Sequence, residues 1–134
     1  MSNIVEAKYF SCISKEVSGA DFGDFRLTKR LMEMSDAISV DPAETLPKIL
    51  GHGAGIEGGY RFLRNSRVNF ESIIGSHYQQ TALRAQLEKD VLVLHDTTEF
   101  KFPSKRKGLG MLTGSRSVGD GFYAHFSLAV GGDL

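Results

Sequence analysis

The residues best suited to chemistry stand in the stretch VLVLHDTTEF, Val91 to Phe100. Four apolar residues run straight into His95, Asp96, Thr97 and Thr98. A carboxylate in that place has two readings. Asp96 can end the strand, its side chain bonding the backbone two residues on in an Asx turn. It can also be a metal-binding or catalytic carboxylate held at the tip of a rigid, buried strand. A nucleophilic Asp after an apolar strand would call for a second acid two residues on, and that position is Thr98.

A second kind of chemistry lies in the positive charge. In DFGDFRLTKRLMEMSDAISVDP, Arg26, Lys29 and Arg30 fall within ~100° of one another on a helix that turns ~100° per residue. Arg61 and Arg64 are i, i+3 neighbours in IEGGYRFLRN, and Arg67 follows just past it. A third cluster, Lys101, Lys105, Arg106 and Lys107, lies in KFPSKRKG. Any one cluster reads as solvated surface, and the neighbours Glu33 and Glu57 support that. Three clusters in one short chain, two of them Arg-rich and on amphipathic helices, favour phosphate contacts, which suit the planar fork of arginine.

Other motifs carry less. GLGMLTGS lacks the Lys-Ser/Thr of a P-loop. His52, His77, His95 and His125 show no zinc-ligand spacing, and no Ser–His–Asp set follows from spacing. His95 and Asp96 are adjacent, so on a strand they face opposite ways.

The elements that must position these groups follow two grammars. Up to residue 89 the chain reads as helices. Leu27, Leu31, Met34 and Ile38 make one stripe, with Asp21 or Asp24 as cap and Pro42 beyond the end. LPKIL is a short helix closed by GHGAG, and the tight turn over residues 51–55 suits helix-turn-helix docking on DNA. The next helix places Ile56, Tyr60 and Leu63 on one side. A further helix, capped by Asn69 or Ser66, aligns Phe70, Ile73, Ile74 and His77. From Asp90 the period changes. DVLVLHD reads as a central strand buried on both faces, EFKF as a second strand, and DGFYAHFSLAV as an alternating third. The fold class is therefore α+β, with a helical domain over 1–89 and the start of a strand-rich domain over 90–134. No covering helix follows Val130, so the chain is expected to hold only part of that second domain.

Composition bounds the function. Apolar residues are 41% and charged residues 24%, the balance of a globular protein. Sixteen Lys+Arg cancel sixteen Asp+Glu, so attraction to nucleic acid has to rest on the local clusters. Cys12 is the only cysteine, which excludes an internal disulfide and fits a reducing cytoplasm. The start MSNIVEAKYFSC has no basic segment followed by an apolar run, as a signal peptide would.

Taken in order, FGDFRLTKRL at 22–31, EGGYRFLRN at 57–65, VLVLHDTTEF at 91–100, and GLGMLTGS with GFYAHFSLAV at 108–130 resemble the start of the bacterial DDE transposases of the insertion-sequence-four family, the group that contains the transposon-five transposase. The resemblance implies an N-terminal domain that binds double-stranded DNA at the transposon's terminal inverted repeats, through Arg26, Lys29, Arg30, Arg61, Arg64 and Arg67. It implies the first strands of a ribonuclease H-like core. Asp96 becomes the first acid of an Asp-Asp-Glu triad that binds Mg2+ or Mn2+ for phosphoryl transfer. The chain departs from the pattern in two ways. The motifs of the second Asp and the Glu are not found, and Glu99, Asp120 and Asp133 do not stand in them. The position after Arg26, often basic in the family, is Leu27. The chain alone is thus expected to be inactive and to hold metal weakly if at all, with oligomers formed only by the full-length family. A DNA-binding protein without chemistry and a non-functional truncated product stay open beside the transposase reading.

Overall fold

The computed structural model describes residues 13–113 and 118–132. Cys12, the N-terminal segment read for targeting, Gly114 and Ser115 of the glycine-rich loop, and Asp133 lie outside the described residues. The chain divides into two compact units, residues 1–83 and 84–134.

The first unit is helical. Its elements are α1 (Ile13–Val17), α2 (Phe25–Val40), α3 (Leu46–Leu50), α4 (Ala54–Leu63) and α5 (Phe70–Ala85), the last ending two residues past the division. Of the two acids that can cap α2, Asp24 is the cap. It is extended, and its carboxylate accepts the Arg26 backbone N–H at 3.0 Å. Asp21 instead closes a turn onto the Gly23 N–H at 2.8 Å. α2 stops at Val40, because Pro42 disfavours helical backbone at the residue before it. Asn69, not Ser66, serves α5, accepting from the Ser72 N–H at 2.8 Å. Gly51 and Gly53, with φ of 72° and 60°, turn the chain between α3 and α4 in a conformation that other residues rarely adopt.

The core is Ala20, Phe22, Leu31, Met34 and Phe62, with Val17, Leu27, Leu46, Leu50, Val68 and Ile73 packed against it. Phe22 and Phe62 meet edge to face, 5.6 Å between centroids. Thr28 is buried with its hydroxyl donated to the Ala20 carbonyl at 2.8 Å, so its burial leaves no polar group unsatisfied. The buried hydroxyl of Ser76 accepts the Gly19 N–H at 3.2 Å. Three expected faces are corrected. Ile38, at the far end of its stripe, is exposed. On α4 the buried residues are Gly59 and Phe62, while Tyr60 and Leu63 are exposed; the missing side chain at Gly59 lets Leu50 approach and rotates the inward face. On α5 Phe70 is exposed and Ser76 takes the buried place.

The second unit is a three-stranded antiparallel sheet in the order β1 (Val91–Phe102), β3 (Gly119–Gly131), β2 (Gly110–Leu112). Two expectations fail here. The DVLVLHD and EFKF segments are one continuous strand, since Thr97 and Thr98 are β-branched and nothing between them and Phe100 breaks the ladder. That strand is an edge strand, and β3 is central. Its apolar residues are exposed, Val91 to Leu94 at 36–49%. Gly121 is the one buried residue among the described residues of the three strands. The alternation expected for β3 holds. Phe122, Ala124, Phe126, Leu128 and Val130 lie opposite Phe100, Thr98, Asp96, Leu94 and Leu92 on one face.

Candidate nucleic-acid interface

All six cations expected to meet DNA lie in the helical unit, on or just beyond α2 and α4. They form two groups. The first surrounds the start of α2. Arg26 projects into solvent, its side chain 89% exposed, and grips its own cap residue: Nε donates to Asp24 Oδ1 at 3.1 Å and Nη2 to Oδ2 at 2.8 Å. These guanidinium hydrogen bonds, joined by the Arg26 backbone N–H, hold the Asp24 carboxyl down at about 2. The same pairing raises the Arg26 guanidinium. Arg67 reaches back from beyond α4 and donates Nη1 to the Gly23 carbonyl at 3.5 Å, so it flanks the same cap.

The second group lies where α2 meets α4. Arg30 pairs with Glu33 one turn on, at 3.1 Å. Its guanidinium rests against the α4 backbone at Gly58. One turn along α4, Arg61 pairs with Glu57 at 3.2 Å and is 82% exposed. Arg64, at the helix end, stands over the exposed Tyr60 ring with its guanidinium carbon 5.8 Å from the centroid, within cation–π range. Glu57, Tyr60, Arg61 and Arg64 line one open pocket. Lys29 is exposed on α2. Leu27 is half-buried against the core, so this position presents no polar group outward.

Physically the surface is a set of arginines, each held by a partner at a solvent-exposed position. Exposed ion pairs of this kind contribute about 0–1 kcal/mol each. A phosphate oxygen can therefore replace Glu33 or Glu57 at little cost, and the bidentate geometry that arginine uses on carboxylate serves equally on phosphate. The sequence pointed to the cations and their two acids. It did not reveal that Tyr60 is a platform rather than a core residue, nor that Gly58 touches Arg30. The one available signal was the Gly-Gly doublet inside a helix, where glycine is unfavourable.

Asp96 sits in different surroundings. It is exposed in the middle of β1, opposite Phe126, and accepts the Thr98 hydroxyl at 3.3 Å. Asp96 therefore lies mid-strand and not at the strand tip that its place after four apolar residues suggests, because the ladder runs on to Phe102. Glu99 lies on the other face and Asp120 opposite Phe102, six pairs along. Among the described residues no group of three or more His, Cys, Asp or Glu is arranged to hold a metal ion. The described carboxylates by themselves thus do not make up a two-metal site. On the face away from Asp96, the His95 and Ser127 side chains lie 2.9 Å apart, as do those of Thr97 and His125 at 2.8 Å. Neither imidazole is oriented by a carboxylate among the described residues, so neither pair forms a nucleophilic triad. Lys105, Arg106 and Lys107 are exposed beyond β1, with Arg106 over the Phe102 ring at 4.2 Å. Among the described residues no helix is long and apolar enough to cross a membrane.

Residues 11–68, which take in α1 to α4 and every cation of the two groups, match the family model described as transposase DNA-binding, and the helical unit is in that stretch similar to the DNA-binding region of a transposase.

Proposed function

We propose that the chain is the end-binding portion of a cut-and-paste DNA transposase of the insertion-sequence-four type, which docks α2 and α4 on the transposon's terminal inverted repeats. The observation that carries this reading is the coincidence of the matched span with the unit that holds both arginine groups. Arg26, Arg30, Arg61 and Arg64 contact phosphates in the main, with Lys29 and Arg67 in support. Asp96 is read as one carboxylate of a ribonuclease H-like Asp-Asp-Glu centre that the described residues do not complete. The remaining ligands have to come from residues other than those described.

The test is fluorescence anisotropy of the 134-residue chain with the inverted repeat read from the DNA flanking the gene and with a scrambled duplex. The expected result is tighter binding of the repeat. Equal binding of both duplexes would contradict end recognition. A second reading, a DNA-binding protein without chemistry, is favoured by the scatter of Asp96, Glu99 and Asp120 over the sheet. Metal-dependent cleavage abolished by Asp96→Asn, in the chain or in a full-length relative, would decide against it.

A further inference from the structure

α4 carries two adjacent glycines in its interior, Gly58 and Gly59. Glycine there weakens a helix relative to alanine. Neither has a positive φ, so backbone conformation explains neither. Gly59 is explained by packing: it is buried, and a methyl group there would run into Leu50 of α3. Gly58 is half-buried and faces elsewhere. The place its Cβ would take is filled by the guanidinium of Arg30 from α2, with Nη2, Cζ and Nε at 2.8, 2.9 and 3.2 Å. Three atoms of one planar group lie against the bare backbone, while Nη1 is held by Glu33 at 3.1 Å.

We infer that Gly58 is a positioning residue for DNA binding: its missing side chain is the seat that fixes the Arg30 guanidinium on α4, beside Arg61. This rests on the reading that Arg30 contacts DNA. A free arginine loses rotamer freedom when it is immobilised on a ligand, and one already seated loses less. The seat also joins the cations of two helices into one surface, so that a single phosphate backbone can meet both. The obstacle to a methyl at 58 is the far end of a flexible side chain. Gly58→Ala should therefore move Arg30 and leave the helix intact, or firmer.

The experiment is a double-mutant cycle on the full chain with Gly58→Ala, Arg30→Ala and both together, plus Gly59→Ala as contrast. Circular dichroism gives helix content and Tm. Anisotropy with a fluorescein-labelled random duplex and with the flanking inverted repeat gives affinity. Gly58→Ala is expected to keep the parent's helix content with Tm equal or higher, whereas Gly59→Ala lowers Tm. Gly58→Ala and Arg30→Ala should each weaken binding roughly five- to tenfold at about 0.1 M salt, the counterion contribution of about one phosphate contact. The double variant should be no weaker than Arg30→Ala. If Arg30→Ala loses affinity and Gly58→Ala does not, or if the two losses multiply, the seat is refuted and the DNA reading stands. If neither loses affinity, Arg30 is not at the DNA and the seat falls with that assignment. Loss of helix in Gly58→Ala would show that the clearance serves packing and would also overturn the inference.

Discussion

Phe62 and Phe122 are the same side chain in two solvents. Phe62 is 2% exposed and meets Phe22 edge to face; Phe122 is 43% exposed and stacks on Phe100 at 5.1 Å. The contrast extends to their units. In the helical unit the stripe of α2, Phe62 of α4 and Ile73 of α5 close around one core. In the sheet, Leu92, Leu94, Phe100, Phe122, Phe126 and Leu128 share one face and are 39–62% exposed. Apolar patterning decides which residues share a face. Burial requires a second layer against that face. The helical unit makes its own second layer, because helices on either side of the turn at residues 51–53 fold back on one another. A single antiparallel sheet has none within itself.

The largest expected effect separates the two phenylalanines. Phe62→Ala should destabilise the helical unit by about 3–5 kcal/mol, the cost of emptying a packed aromatic site. Phe122→Ala should cost no more than about 1.5 kcal/mol, the scale of an exposed aromatic pair. Chemical denaturation followed by circular dichroism measures both, and similar losses would mean that the sheet has a core of its own. Next in size is local stability. Hydrogen exchange by mass spectrometry should show stronger protection over 25–40 and 56–83 than over 91–102 and 119–131, because the strands expose both faces and, among the described residues, β1 has a neighbour along one edge only. Equal or reversed protection would remove the distinction.

The start of α2 gives a smaller, pH-dependent effect. The Asp24 carboxyl, ordinarily at 3.8, is held at about 2 by Arg26. A lowered value means that the unfolded chain takes up the proton first as acid is added. The cap's contribution is thus complete above about pH 4 and is lost as pH falls from there through 2. Asp24→Ala should lower stability at neutral pH through loss of the cap, and should flatten the acid limb of stability in that window. A carboxyl NMR titration midpoint near 3.8 in the folded chain would contradict the pairing. Smallest of all is Asp96→Asn. An exposed carboxylate accepting one hydroxyl should shift stability by no more than about 0.5 kcal/mol and leave duplex binding unchanged. A larger loss of binding would place the sheet in the DNA interface.

What the amino-acid sequence disclosed, and what it hid, follows the same division. Local signals were readable: the Asp24 cap, the stop before Pro42, the alternation of β3, and the cations on the outer faces of α2 and α4. Long-range ones were not. Nothing in IEGGYRFLRN announces that Leu50 closes on Gly59, so the spacing points inward at Tyr60 and Leu63 where Phe62 is the buried residue. Nothing in VLVLHDTTEF announces that β3 runs along all of it, so the pattern suggests a strand tip at Asp96, which lies mid-strand. Strand order and register are properties of pairing, and pairing partners here are some thirty residues apart. The same distance hid the His95–Ser127 and Thr97–His125 contacts. The candidate interface was readable as charge. Its assembly, with Arg30 on Gly58 and Arg64 over Tyr60, depended on how two helices cross.

If the arginine surface of α2 and α4 binds duplex DNA, the salt dependence of the Arg30→Ala/Arg61→Ala variant has to differ from that of the parent. Each phosphate contact contributes close to one to the slope of log affinity against log salt. Anisotropy titrations of parent and variant with the same duplex at several salt concentrations should show weaker binding by the variant and a slope shallower by about two, with unchanged helix content by circular dichroism. Equal affinities and parallel slopes would mean that these arginines are ordinary solvated surface, paired with Glu33 and Glu57 and nothing else.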